Sequence, residues 1–227
     1  MRTELDALRG ERTGHIKLAA MDSCFEELLP ATVDEFSQLL PAVTYTIVST
    51  QPMEVPQLVA SGQIDIGVTF ATRLPVGVVA ISLAQLPLGM VMAPGHPLAQ
   101  HDRVSLKDCA QHPFLRSGTQ PVFGASLSAE FTSFWESMTP AATCNSTPLI
   151  KRLLKAGKGI STFSKIAVLE ELRRGELVWK PFALPVLNQL QVGIIVPSQR
   201  ALPQVAQNFV GRLARNLSKL EQIAAAL

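Results

Sequence analysis

Polar and thiol side chains that directly follow apolar segments are the first candidates for chemistry in this sequence. Ser23 and Cys24 come after the apolar run 16–20, and a segment with apolar residues three and four apart follows them. Backbone amides at a helix start, together with a hydroxyl group, bind anions without a buried counter-charge. Ser23 and Cys24 are therefore predicted to contact a small ligand. The structural alternative is that Ser23 only caps the helix, and both roles can hold together.

The ends of two further apolar runs, 43–48 and 64–70, add candidates for the same site. These residues are Gln51, Phe70, Thr72 and Arg73. Arg73 is the cation of this set and could pair with a carboxylate group of a ligand. A solvated loop arginine is the alternative interpretation.

Other reactive side chains do not combine into a recognisable centre. His96, His101 and His112 lie within a short span, but no Cys or carboxylate completes a metal-ligand spacing, so no metal or cofactor is predicted. Cys109 and Cys144 could form a redox pair, although buried structural thiols are favoured because few basic residues flank them. No catalytic triad and no paired acids emerge, and the chain is not predicted to be an enzyme.

The elements that must position these residues form an α/β pattern. Runs 16–20, 43–48 and 64–70 are predicted strands separated by helices, which indicates a parallel sheet with right-handed crossovers. Pro30 complicates the first helix, which either starts at Ser23 and tolerates this proline or begins at Pro30 itself. The neighbourhood of 88–97 is predicted to cross into a second domain, from which strand 189–196 leads away to a final helix over 203–217.

Composition limits the class of protein. The chain has 227 residues, of which 47% are hydrophobic and 17% charged, with a formal net charge of +2. These values predict a soluble globular protein without the strong positive field that attracts nucleic acid. No apolar run reaches the length of a membrane span, and segment 1–14 lacks the apolar core of a signal peptide. Three widely spaced cysteines fit reduced thiols in the cytoplasm.

Several short motifs, in their order along the chain, resemble the effector-binding domain of LysR-type transcriptional regulators. They are Gly14-His15-Ile16, Leu28-Leu29-Pro30 with Phe36, Gly62-Gln63-Ile64-Asp65-Ile66-Gly67, Gly95-His96-Pro97-Leu98-Ala99 and Ala156-Gly157-Lys158-Gly159-Ile160. The resemblance covers residues 5–217. It implies a type 2 periplasmic-binding-protein fold, in which two Rossmann-like lobes are joined by two crossing strands and a ligand binds in the cleft between them.

The resemblance also implies a domain division and further site residues. Lobe I is expected to contain 15–88 and 192–227, lobe II 89–191, and segment 1–14 the end of a linker helix, with the N-terminal winged helix-turn-helix absent from this chain. Ser23 and Cys24 match positions where this family holds the polar group of its effector. In lobe II the family's corresponding strand ends and loop are matched by Arg116, Ser117, Thr119, Phe123 and Thr162.

These expectations define a function and its partners. The resemblance predicts a cytoplasmic sensor of a small metabolite of expected anionic character, acting as a homodimer or tetramer through segments 33–40 and 43–48. DNA binding is expected through the missing N-terminal domain, RNA polymerase is a candidate partner, and no membrane contact is expected. The alternatives are a solute-binding protein of a transporter, which needs export, and an enzyme such as a prephenate dehydratase, whose catalytic Thr and Arg groups are not identifiable here.

Overall fold

The computed structural model describes residues 13–118 and 128–227. The chain divides into two compact units. Unit 1 takes Met1–Ala84 and Val192–Leu220, and unit 2 takes Gln85–Gln191 and Glu221–Leu227. The predicted linker-helix end at 1–14 lies outside the described residues except for Thr13 and Gly14.

Unit 1 is built on a five-stranded sheet with the strand order β2-β1-β3-β10-β4. These strands are β1 (Thr13–Ala20), β2 (Ala42–Ser49), β3 (Ile66–Phe70), β4 (Val78–Gln85) and β10 (Gln191–Pro197). β1 is parallel to β2 and β3, with Ala20 beside Ser49 and Val68, whereas β10 is antiparallel to β3. The carboxyl ends of the first three strands therefore lie at one edge of the sheet, as the alternating pattern predicts.

Helices cover this sheet because packing against it and against each other buries their apolar residues. α1 (Leu28–Leu39) packs against the long α8 (Gln204–Ala226), where the ring of Phe36 meets that of Phe209 edge to face at 5.2 Å. Asn216 Nδ2 donates to Thr32 Oγ1 at 3.1 Å and ties the same helices together within the core. The short α2 (Val55–Ala60) packs a separate apolar cluster against Ala19, Val78 and Ile195.

The first helix begins between the two predicted starting points, Ser23 and Pro30. Residues Asp22–Cys24 form a single 3₁₀ turn, and α1 starts at Leu28 with Glu27 as its N-cap. Pro30 lies in the first helical turn, where its missing N–H is one of the donors that have no partner inside a helix. Ser23 is consequently not the N-cap of α1, and the helix-capping alternative for this residue is wrong.

Unit 2 contains β5 (Leu88–Met92), β6 (Phe114–Ser117), β7 (Pro140–Cys144), β8 (Ser161–Ser164) and β9 (Val178–Pro181). β5 lies antiparallel between β8 and β9, and β6 pairs with β7 in parallel. An isolated parallel bridge between Phe114 and Ile160 connects the two sets, so β6 runs alongside the start of β8.

The helices of unit 2 are α3 (Leu106–Cys109), α4 (Ala129–Ser137), α5 (Thr147–Lys155), α6 (Leu169–Arg173) and α7 (Pro185–Asn188). The side chain of Ser105 caps α3 as predicted, and Ser128 and Ser146 cap α4 and α5 in the same way. The sequence pattern did not predict α7, and α8 runs nine residues beyond its predicted end at 217. In the part of the chain that the structure describes, no helix is long and apolar enough to cross a membrane.

The sheet faces of unit 2 differ in what covers them. Leu115 and Phe163 belong to an apolar cluster with Ile150 and Leu154 of α5. On the opposite face, the ring of Phe114 packs edge to face against Trp135 of α4, with ring centroids 5.6 Å apart. Because side chains alternate along a strand, Arg116 and Thr162 emerge on this second, aromatic face.

Candidate functional site

Arg116 lies at the end of β6 and is held firmly by α4. Its Nη2 donates to the carbonyl oxygens of Trp135 at 2.6 Å and Met138 at 2.9 Å, and the guanidinium lies 5.1 Å from the centre of the Trp135 ring. These carbonyl groups belong to the C-terminal end of the helix, which favours a cation. The guanidinium is thereby oriented, while its buried Nε has no hydrogen-bond partner within the described residues.

A close backbone approach brings β8 beside this arginine. Ile160 N donates to Pro113 O at 2.9 Å, and Leu115 N donates to Ile160 O at 2.8 Å. Gly159 has a φ of +153°, and a Cβ at this position would meet Pro113 O at 2.3 Å. Glycine is required here because any other residue would push β8 away from β6. The Gly159 turn therefore sets the distance between the strand that carries Arg116 and the strand that carries Thr162.

Two hydroxyl groups of β8 are buried without a partner. Thr162 is 4% exposed and Ser164 is 3% exposed, and the side-chain oxygens of both lack a hydrogen bond to any described residue. They lie two positions apart on one strand, so they share a face, opposite Met90 and Leu88 of β5. Burying a hydroxyl group without a hydrogen bond costs about 1–3 kcal/mol. An unpaired buried hydroxyl group therefore indicates a candidate ligand contact.

Arg116 Nε and the Thr162 hydroxyl group present hydrogen-bond donors on the aromatic face, whereas Ser117, one position after Arg116, faces the opposite side of the sheet. Gly118, with a φ of 80°, turns the chain away directly after Ser117. An arginine N–H and hydroxyl groups around one space suit a carboxylate or another oxyanion, which accepts several hydrogen bonds at once. Of the predicted members, Arg116 and Thr162 lie on one face of neighbouring strands, and Ser117 ends β6 on the other face. Thr119 and Phe123 lie outside the described residues.

In unit 1 the polar side chains at the strand ends are close together, and several of them are hydrogen-bonded to each other. Ser49 Oγ donates to the Asp22 carboxylate and Thr50 Oγ1 donates to the Glu54 carboxylate. Gln51 is half-buried and its carbonyl accepts a hydrogen bond from Glu54 N at 2.9 Å. Two carboxylates therefore stand at this edge, which makes it less favourable for an anion than the corresponding region of unit 2.

Ser23 and Cys24 follow β1 at the same edge but differ in accessibility. Ser23 is half-buried, whereas Cys24 is fully buried. Burial raises the pKa of the Cys24 thiol from about 9 to about 12, partly offset by a hydrogen bond with Ser23. Cys24 is therefore a neutral core thiol, and Ser23 is the member of the pair that can reach a ligand.

The remaining unit 1 candidates follow β3. Phe70 is 7% exposed, Thr72 is half-buried and Arg73 is exposed. No described residue forms an ion pair with Arg73. Thr72 and Arg73 thus stand at the predicted edge, while Phe70 contributes mainly to the core behind it.

The histidines and cysteines set aside in the sequence have structural surroundings. The rings of His96 and His112 lie edge to face with centroids 4.5 Å apart. Burial raises the pKa of the Cys109 thiol to about 12, which does not suit a redox-active thiolate. Among the described residues no group of three or more His, Cys, Asp or Glu is placed to hold a metal ion.

Sequence reasoning missed four contributors to these surroundings. Ser164 could have been found from Thr162, because residues two apart on a strand share a face. Asp22 and Glu54 were not recognised as strand-end carboxylates, although both stand beside candidate residues in the sequence. The contact between Arg116 and the end of α4 joins residues 19 and 22 positions apart, and no local pattern indicates it.

The two α/β units and their sheet order define the class of protein. The architecture is that of the type 2 periplasmic-binding-protein fold, as predicted. The regulator HinK from Pseudomonas aeruginosa superposes with a TM-score of 0.68 at 22% identity, over 96% of this chain and 76% of HinK. The regulatory domain of CcmR from Synechocystis PCC6803, in complex with 2-PG, gives a TM-score of 0.70 at 17% identity, over 89% of this chain and 97% of that domain.

The family follows from the sequence match. The family model of the LysR substrate binding domain matches residues 9–218, and the chain belongs to this family. One relative is the transcriptional activator protein LysR of Escherichia coli strain K12, which is 25% identical to this chain over 181 residues. That match covers 80% of this chain but only 58% of the relative's own length.

Proposed function

We propose that this chain is the effector-sensing part of a LysR-type transcriptional regulator, and that a small anionic metabolite binds at the unit 2 site. The observation that carries the proposal is the pair of unpartnered donors, Arg116 Nε and Thr162 Oγ1, on one face of the sheet. A carboxylate or oxyanion accepts from both and removes the cost of leaving them unpaired. Ser117 follows Arg116 on β6 and faces the other side of the sheet, so no contact with the metabolite is assigned to it.

Relatives support the regulatory part of this proposal. The Escherichia coli relative is a transcriptional activator, and the Synechocystis neighbour is a regulatory domain that holds 2-PG. By analogy, binding of the metabolite shifts the population of conformations of this chain, and an N-terminal DNA-binding domain responds to that shift. Contact with RNA polymerase, action in the cytoplasm and the absence of enzymatic activity belong to the same proposal.

Unit 1 is assigned a secondary part in recognition. Ser23, Gln51, Thr72 and Arg73 are the accessible candidates at its strand ends. The carboxylates of Asp22 and Glu54 nearby disfavour an anionic group, so this edge is expected to suit neutral or hydroxyl groups of a ligand. Cys24 and Phe70 support this surface from the core.

Calorimetric titration of the chain with sulfate, acetate and benzoate tests the site. At least one of these anions is expected to bind, and Thr162→Val should weaken it by about tenfold through loss of one hydrogen bond to a charged group. Thr44→Val is the matched control, because Thr44 Oγ1 lies near the opposite end of β2 beside His15. Equal affinities in wild type and Thr162→Val would remove Thr162 from the site, and binding by none of the anions would overturn its anionic character.

We also propose that the chain forms a homodimer through the outer surface of α1 and β2. β2 is an edge strand of the unit 1 sheet, and Leu39 at the end of α1 remains 38% exposed. Leu39→Glu is expected to lower the mass measured by light scattering, whereas Val76→Glu, at a residue that is 96% exposed elsewhere in unit 1, should not. An unchanged dimer mass for Leu39→Glu would exclude this surface.

A further inference from the structure

Unit 2 contains a cavity that is separate from the Arg116 site. Its volume is about 250 Å³. The residues that line it are Gln85, Pro87, Lys165, Glu221, Ala224 and Ala225. All of them belong to unit 2, where the last turn of α8 meets the start of β5 and the segment after β8. Proline and alanine give the walls an apolar character, and one cation and one anion interrupt it.

Lys165 is a half-buried cation without a carboxylate partner among the described residues. Its Nζ donates to Ala224 O at 2.8 Å and lies 4.9 Å from the centre of the Trp179 ring. Burial lowers the pKa of this amine, as expected for a charge that lacks a counter-ion. The hydrogen bond uses one of the three ammonium protons, and no described residue accepts a hydrogen bond from the other two.

Trp179 is fixed in the position that supports this lysine. Its indole Nε1 donates to Phe163 O at 2.9 Å. The ring lies directly against β5 at Gly89, where a Cβ would approach Trp179 to 2.2 Å. The aromatic surface beneath Lys165 is therefore rigid and holds the ammonium group at the cavity by a cation–π contact.

Glu221 provides the opposite charge on the cavity wall. Its Oε1 accepts a hydrogen bond from Gln85 N at 2.5 Å, and no described residue pairs with its other oxygen. Glu221 and Lys165 line the same cavity without forming an ion pair with each other. Two opposite charges separated across a small cavity can both be satisfied by one molecule that carries the complementary charges.

We propose that this cavity is a second ligand site of the chain and that it takes a small α-amino acid in its zwitterionic form. The carboxylate accepts from the free ammonium protons of Lys165, and the amino group donates to Glu221. The side chain of the ligand contacts Pro87 and the alanines of α8. An anion without an amino group is disfavoured by Glu221, which distinguishes this site from the Arg116 site.

The two tryptophans of the chain make the test specific, because Trp179 contacts Lys165 of the cavity wall and Trp135 lies beside Arg116. In ¹H–¹⁵N NMR spectra of the chain, L-alanine is expected to shift the indole resonance of Trp179 saturably and to leave that of Trp135 in place. N-acetyl-L-alanine and L-alaninamide each lack one charge and should bind about tenfold more weakly. Trp179→Phe assigns the resonances.

Substitutions at Glu221 and Lys165 test the contribution of each charge to binding separately. Glu221→Gln keeps an acceptor oxygen for Gln85 N and should weaken L-alanine by about tenfold without weakening N-acetyl-L-alanine. Lys165→Met should weaken both, and Lys158→Met, at an exposed lysine of unit 2 outside the cavity, should weaken neither. The proposal is overturned if L-alanine gives no saturable shift, if sodium chloride gives the same shift, or if only Trp135 responds. The last result would leave the proposed effector site at Arg116 standing.

Discussion

In unit 1 the hydroxyl group of Thr69, at the end of β3, donates to Pro52 O at 2.7 Å, whereas in unit 2 the hydroxyl group of Thr162 on β8 is buried without a partner. Both residues are threonines on strands whose residues are all buried, and both are at least 96% buried. The difference extends to their neighbours. Ser49 and Thr50 of unit 1 donate to carboxylates, while Ser164 of unit 2 has no described partner.

The hydroxyl groups near the strand ends of unit 1 are therefore hydrogen-bonded within the chain, whereas those of β8 in unit 2 are not. The described buried side-chain atoms without a hydrogen bond all belong to unit 2, namely Arg116 Nε, Thr162 Oγ1, Ser164 Oγ, Glu171 Oε2 and Asn188 Oδ1. Each such atom costs about 1–3 kcal/mol, and at Arg116 Nε and Thr162 Oγ1 an anionic ligand can recover this cost as binding free energy. The unpaired donors on which the proposed anion site rests therefore lie in unit 2.

Cysteine labelling gives the largest expected contrast between strand ends. Cys24 follows β1 and is fully buried, whereas Cys144 at the end of β7 is half-buried. A thiol pKa of about 12 instead of about 9 lowers the thiolate fraction at pH 8 by about a thousandfold. We expect iodoacetamide to modify Cys144 first in the native chain, with Cys24 and the buried Cys109 modified only after unfolding, as read by mass spectrometry. Early modification of Cys24 would place its thiol at the surface.

The two strand-end arginines should differ strongly in their effect on stability. Arg116→Met removes two charge-assisted hydrogen bonds to the end of α4 and a cation–π contact, so the free energy of unfolding should fall by about 2–4 kcal/mol. Arg73→Met changes an exposed side chain and should cost less than about 0.5 kcal/mol. Urea denaturation measures both. Similar losses for the two variants would contradict the structural role assigned to Arg116.

The same substitution at the two buried threonines should have opposite consequences. Thr69→Val leaves Pro52 O without its donor and should destabilise the chain by about 1–2 kcal/mol. Thr162→Val removes an unpaired hydroxyl group at nearly constant volume, so stability should stay unchanged or rise by up to about 1 kcal/mol. Denaturation midpoints of the two variants provide the measurement. A clear loss of stability in Thr162→Val would show that this hydroxyl group is already satisfied without ligand.

The strands that carry both edges were largely predictable from the sequence. Alternating β-branched residues indicated β2, and the order of strands and helices indicated the parallel core of unit 1. Pro30 left the start of α1 open, because a proline fits any position of the first helical turn. Helix α7 has only four residues, which is too short for a periodic pattern.

The chemistry of the edges was only partly predictable. Arg116 was identified because it interrupts an apolar strand end, but its partners Trp135 and Met138 are provided by tertiary packing. Thr69 and Thr162 look alike in the sequence, since each lies in an apolar segment near a glycine. Only the fold shows that Pro52 O reaches the first hydroxyl group and that nothing described reaches the second. Hydrogen-bond satisfaction is a property of non-local geometry.

The smallest expected difference in stability between the two units concerns their histidines, His96 in unit 2 and His15 in unit 1. Burial and the nearby His112 lower the pKa of His96 in unit 2 below its usual value of 6.5. The Nδ1 of His96 also accepts a hydrogen bond from Leu98 N at 3.2 Å, which protonation of that nitrogen would break. In unit 1, by contrast, the ring nitrogens of His15 lie 2.8 and 3.0 Å from the hydroxyl groups of Thr44 and Thr46, which can accept as well as donate.

The sign of the pH effect follows from proton uptake. Below about pH 6.5 the unfolded state protonates His96 before the folded state does, so the unfolded state binds more protons and stability falls as the pH falls toward the lowered pKa. Tryptophan fluorescence during denaturation reports on unit 2, because Trp135 and Trp179 both lie there. We expect His96→Gln to lose less stability than wild type between pH 7 and pH 5. Parallel profiles for wild type and His96→Gln would mean that protonation of His96 is not coupled to the folding of unit 2.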